Sequence, residues 1–190
     1  MSLDTTVGGA NADSYGSLAD FDAYCTALGK AIASGTTDGS KEIALRNGTI
    51  YLDRTYQDRW AGYRTNETQV LAWPRRSYPG DSYYTGGVTF YTGIRDCDGF
   101  EIASDAIPRR IRDACFEAAY LSLNGTVLLP VLVRGGQVQS ESVAAGPVST
   151  DTTYAANAPT QDQRLAIEGL LRGLIVGGPG AGSTGRIVRG

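Results

Sequence analysis

The sequence predicts a mainly α fold: a compact bundle of about four helices with one or two protruding β-hairpins and a flexible C-terminal tail. Three observations carry this. Four stretches place apolar residues at helical spacing and are followed by stop signals. Two stretches, at about 76–97 and 137–154, alternate around Gly-Gly or Gly-Pro turns. Half of residues 177–190 are glycine or proline. We therefore read 1–176 as one helical domain and 177–190 as an appended tail. A chain of 190 residues can bury a core without disulfide or metal staples.

The first helix starts at Ser17, whose side chain can accept from the free N–H groups of the first turn. It runs to about Leu28, with Leu18, Phe21, Cys25 and Leu28 as its apolar stripe and Gly29 as its stop. The second begins near Gly39-Ser40 and reaches about Gln57. Leu45, Thr49, Leu52 and Tyr56 share one face, with Ile43 and Ile50 beside them. Gly48, in its middle, costs up to about 1 kcal/mol relative to Ala and admits close approach of another backbone. Trp60 and Trp73 read as core plugs, Trp73 being steered to an extended backbone by Pro74. The functional alternative for both is a base-stacking platform.

The third helix spans 104–125. Ser104 or Asp105 would cap it, Pro108 falls in the first turn where a missing N–H is tolerated, and Asn124-Gly125 offers a left-handed stop. Ile107, Ile111, Ala114, Cys115, Ala118 and Leu121 form one apolar face. Phe116, Tyr120 and Leu123 form a second strip, which makes the helix either central or shared with a partner. These three are candidate subunit contacts. The fourth helix covers about Gln161 to Ile175, with Leu165, Ile167, Leu170, Leu171 and Leu174 apolar.

The first hairpin runs from Ser82 to Tyr91 around Gly86-Gly87. Its Tyr83, Tyr84, Phe90 and Tyr91 suit a contact surface, because aromatic side chains bring area at low entropy cost. The second has strands from Gln137 to Val143 and from Val148 to Tyr154, with a turn at Ala145-Gly146-Pro147. Strands so polar need a larger sheet to pair with, so Val138, Val143, Val148 and Tyr154 are candidate subunit contacts. The tail ends in Arg186-Ile187-Val188-Arg189, an apolar and cationic tip that reads as a docking peptide.

The chain has no histidine. That removes Ser-His-Asp, Cys-His and His-metal sites together. The three cysteines, Cys25, Cys97 and Cys115, fit no metal spacing, and Cys25 and Cys115 read as small buried apolar residues. Gly177 to Thr184 lacks the lysine of a phosphate-binding loop and follows a helix where such a loop would follow a strand. No cofactor, no metal and no enzymatic activity are expected. The net charge of −3 and a pI near 5.0 argue against tight sequence-independent binding to nucleic acid, though they leave room for a local basic patch. The polar start Met1–Asp4 reads as no secretory signal, and no apolar run approaches the ~18 residues of a membrane span. A cytosolic site of production is expected.

Four stretches taken in order carry a resemblance: Ala12-Asp13-Ser14-Tyr15, Tyr51-Leu52-Asp53, Gln69-Val70-Leu71-Ala72-Trp73-Pro74-Arg75 and Asp105-Ala106-Ile107-Pro108. They resemble a family of phage head–tail connector, or head-completion adaptor, proteins. Members are often labelled primosomal-type single-stranded-DNA-binding proteins. The resemblance implies a homo-oligomeric ring, usually of twelve copies, beneath a portal protein. Such a ring extends the DNA channel and offers a platform to a downstream neck or tail protein. It would sit in the virion neck after assembly in the host bacterial cytoplasm. Arg186, Ile187, Val188 and Arg189 would dock on the portal, and double-stranded DNA would pass without tight binding. The alternatives are another neck component, such as a stopper or tail terminator, or a single-stranded-DNA-binding protein. The last would need Trp60 or Trp73 exposed beside Arg59, Arg64, Arg75 and Arg76.

Overall fold

A computed structural model of the chain describes residues 2–77, 82–85, 88–91, 94–96, 98–129, 140–145, 148–153 and 165–176. The elements run α1 (Leu18–Ala27), α2 (Asp38–Thr55), β1 (Tyr63–Arg64), β2 (Arg75–Arg76), β3 (Ser82–Thr85), β4 (Val88–Tyr91), β5 (Ile94–Arg95), β6 (Glu101–Ile102), α3 (Arg109–Leu123), β7 (Ser140–Ala145), β8 (Val148–Thr153) and α4 (Leu165–Leu170). Each strand pairs antiparallel with its neighbour in sequence, giving four separate two-stranded ribbons among the described residues. The fold is mainly helical, as the periodicity predicts. Both expected hairpins form, β3 with β4 and β7 with β8, the first pairing Tyr83 with Phe90. The ribbons β1–β2 and β5–β6 were not expected.

Local chemistry sets the helix ends. Ser17 caps α1 by accepting from the Asp20 N–H, and Thr37 caps α2 by accepting from the Ser40 N–H. Gly29 and Gly125, both at positive φ, stop α1 and α3. At each stop two backbone N–H groups fold back onto the last turn: Gly29 to Thr26 and Lys30 to Cys25, Gly125 to Ser122 and Thr126 to Leu121. This paired arrangement satisfies carbonyls that the helix leaves free. The start of α3 departs from expectation. Neither Ser104 nor Asp105 caps it; Pro108 stands at the cap with an extended ψ of 143° and no side-chain hydrogen bond. The reason is steric: a residue preceding proline is pushed out of helical geometry, so Ile107 cannot belong to the helix.

The core lies where α2 crosses α3, with α1 on one side and α4 packed against α3. Leu45, Leu52, Ile111, Cys115, Ile167, Leu171 and Leu174 are fully buried there. Leu28, expected in the stripe of α1, is exposed because it is the C-cap residue. Ile43 and Ile50 are also exposed, since they stand on the side of α2 away from Leu45 and Gly48. The second strip of α3 is covered from within the chain. Phe116 meets Phe21 and Tyr24 at ring separations of 5.9 and 5.4 Å. Tyr120 donates to the Ala31 carbonyl at 3.3 Å and lies under the Lys30 ammonium. Leu123 is half-buried against the same core.

Val138, Tyr154, Cys97 and the tail residues Arg186, Ile187, Val188 and Arg189 lie outside the described residues. So do the side chains of Tyr83, Tyr84, Phe90, Tyr91, Val143 and Val148, whose strands are described only as backbone.

Candidate nucleic-acid interface

The segment between α2 and β3 folds into a tightly self-bonded loop. Trp60 and Trp73 meet edge to face at 6.0 Å and are only 4% and 0% exposed. Both are core plugs, and Trp60 also forms part of the wall of the groove described below. Tyr56 extends the aromatic stack to Trp60 at 5.6 Å. The backbone of Arg59 and Ala61 bonds to Val176 and Leu174, and Arg59 pairs with Glu168 at 3.3 Å. The residues after α4 therefore hold this corner against the bundle.

Within the loop, Gln69 is buried and uses its whole amide. Its Nε2 donates to the carbonyls of Leu71 and Pro74 at 2.8 and 3.0 Å, and its Oε1 accepts from the Asn66 N–H. Asp53 of α2 fastens the loop to the bundle. One of its oxygens accepts from the Ala72 N–H at 3.0 Å and the other from the Tyr15 hydroxyl. That hydroxyl in turn accepts from the Trp73 N–H at 3.3 Å. Burial, the largest influence, raises the Asp53 carboxyl above its ordinary value against these hydrogen bonds. Burial likewise pushes the Tyr15 phenol well up, aided by the Asp53 charge. Gly62, at φ 67°, passes so close to β2 that any Cβ would collide with the Arg76 carbonyl.

This architecture leaves an open groove of about 520 Å³ between the end of α2 and the loop. Arg54, Arg64 and Arg75 line it together with Tyr63 and Gln57, and Asp53 is the one carboxylate among its lining residues. Three guanidinium groups against one carboxylate make the groove locally basic on a chain whose net charge is −3. Arg54 is exposed on α2. Arg64 is aimed by a bond to the Gln69 carbonyl at 2.8 Å. Arg75 is held by the carbonyls of Ala61, Gly62 and Ala72. Arg76 lies over the Tyr63 ring at 4.6 Å.

The arginines singled out with the tryptophans divide. Arg64 and Arg75 reach the groove, whereas Arg59 pairs with Glu168 and lies over Tyr56. Sequence reasoning missed Arg54, Gln57 and Tyr63. The signal available was position: Arg54 is exposed in the last turn of α2 and Gln57 is exposed just past its end, before the arginine-bearing loop. Among the described residues, Cys25 and Cys115 are buried, and desolvation raises both thiols, Cys115 to about 12.

The chain matches the family model described as "Putative DnaT-like ssDNA binding protein" over residues 1–86 and 92–190. No curated protein and no solved structure matches it. The match corrects the resemblance to head–tail connectors read from the stretches at 12–15, 51–53, 69–75 and 105–108. With it falls the role of a structural ring adaptor between a virion's portal and tail. The family is one labelled for contact with DNA, and nothing in the match supports a portal or ring partner.

Proposed function

The chain belongs to the DnaT-like family, and on that premise we propose that it binds single-stranded DNA along the groove between α2 and the 63–76 loop. One observation carries the reading: Arg54, Arg64 and Arg75 converge on one open groove with Tyr63. Phosphate contacts from guanidinium groups supply most of the affinity in sequence-independent binding. The face of the Tyr63 ring opposite Arg76 can take a base face whatever the base. The groove volume, about 520 Å³, is that of a small-ligand cleft. It suits a short run of single strand.

Asp53 is held by Tyr15 and Ala72 inside the protein, and the three guanidinium groups outnumber its one carboxylate at the groove. The acidic balance of the whole chain lowers non-specific attraction and confines binding to the basic groove. The role is one of binding without catalysis, in keeping with a chain that has no histidine.

Fluorescence anisotropy with a labelled oligo(dT) and with a duplex of equal length tests the proposal. Binding should favour the single strand and weaken steeply with salt. Arg54→Ala should lower affinity about tenfold, the scale of one charged hydrogen bond, and leave the fold intact. Equal binding to duplex and single strand, or an Arg54→Glu variant that binds like the parent, would sink the reading.

A further inference from the structure

A second recess, of about 270 Å³, opens beside the groove on the exposed face of α2. The two share Asp53, Arg54 and Val70, so Arg54 stands on the ridge between them. Their chemistry differs. The groove is walled by cations, whereas the recess is walled by Ala12, Ile50, Val70 and Leu71. Ile50 and Val70 are 41% and 58% exposed, which leaves two β-branched side chains open to water next to a basic groove.

The polar groups at the recess are already committed. Asp13 accepts from the Arg46 guanidinium at 2.7 Å and from the Asp4 N–H at 2.8 Å. The Thr49 hydroxyl accepts from the Tyr15 N–H and meets the Cys115 sulfur at 3.3 Å. A ligand part that enters the recess is therefore met mainly by apolar walls, with a cation at the rim.

Resting on the single-stranded-DNA reading of the groove, we infer that this recess receives one unpaired base of the bound strand, turned off the backbone at Arg54. An unstacked base offers the apolar faces that Ile50 and Val70 lack, while its own phosphate stays within reach of the rim arginine. Apolar walls that sandwich an extruded base are a known way of holding one. A base locked in a duplex cannot make that turn without losing its partner, so the recess discriminates for single strand where the arginines alone do not. Because the wall's polar groups are occupied, the recess selects for an unpaired base and reads little of its identity.

The test compares an oligo(dT) with an abasic oligonucleotide of the same length and charge, measured by anisotropy on the full chain and on an Ile50→Gln variant, Ile50 lining the recess but not the groove. Ile50 is exposed, so the variant should fold, which circular dichroism checks. The expected result is about tenfold tighter binding of oligo(dT) than of the abasic strand, with the difference removed in the variant and its abasic affinity unchanged. Equal affinity for the two strands would overturn the inference and leave the groove standing. A base dependence that the variant keeps would overturn it too. Failure of both strands to bind would remove the groove reading as well.

Discussion

Gly48 in the middle of α2 lies directly against the backbone of Cys115 in α3. A Cβ added at Gly48 would stand 2.6 Å from the Cys115 carbonyl oxygen and 2.9 Å from the Ala119 nitrogen. The obstacle is main chain in the middle of a helix, which cannot swing aside as a side-chain tip can. Gly48→Ala gains up to about 1 kcal/mol of helix propensity but forces two buried helices apart, at a cost of about 1–3 kcal/mol or more. The variant should be the less stable protein. Urea unfolding would read this as a lower midpoint at unchanged slope, and a midpoint equal to or above the parent's would contradict the close approach.

Asp53 should leave a signature in the pH dependence of stability. Its carboxyl is raised above the ordinary 3.8, chiefly by burial, so the folded state holds the proton more tightly than the unfolded chain does. The stability it contributes is complete below 3.8 and is lost as pH rises through the raised folded value. Asp53→Asn carries no such proton. The parent's stability relative to Asp53→Asn should therefore fall as pH rises above 3.8 and then level off. Urea titrations of both proteins across that window check it; a relative stability that climbs with pH would mean that the hydrogen bonds from Tyr15 and Ala72 outweigh burial.

Trp73 is fully buried against Trp60, so its replacement tests folding and not base stacking. Trp73→Ala should cost about 3–5 kcal/mol, a large share of the ~5–15 kcal/mol that holds a domain together. Thermal melts should show a strongly lowered or vanished transition. A Trp73→Ala protein that melts like the parent yet fails to bind DNA would restore the stacking platform.

Cys115 should be chemically silent in the folded protein. Its thiol is buried between α2 and α3, and desolvation, the largest influence, raises it to about 12 from the usual 9.0. Alkylation at mildly alkaline pH followed by peptide mapping should find Cys115 unmodified without denaturant and fully modified in urea. Rapid labelling of the native protein at Cys115 would place the α2–α3 contact open to solvent on the labelling timescale.

What was legible in the sequence follows the range of the forces involved. Ser17, Gly29 and Asn124-Gly125 mark helix ends through bonds within one turn, and they mark them correctly. Gly48 in mid-helix read as room for a close approach or as simple tolerance; the structure decides for the approach, and its partner, Cys115, could not be read. The cap of α3 was misplaced because Ser104 and Asp105 look right in isolation while Pro108 sets the geometry. The groove was legible only in part. Arg64 and Arg75 belong to one loop, but Arg54 joins them through the tertiary link from Asp53 to Ala72. Net charge left room for a local basic patch but could not place one: it sums over the surface and is blind to three arginines gathered in one place. The exposed side of α2 carries Ile43 and Ile50, apolar residues whose spacing could not tell core from rim.

Arg75 spends at least three of the five N–H donors of its guanidinium on the carbonyls of Ala61, Gly62 and Ala72. Toward a strand in the groove it acts as a fixed field more than as a directional hand. On the proposed reading, Arg75 therefore supplies charge at a fixed point, and directed phosphate contacts fall to the exposed Arg54.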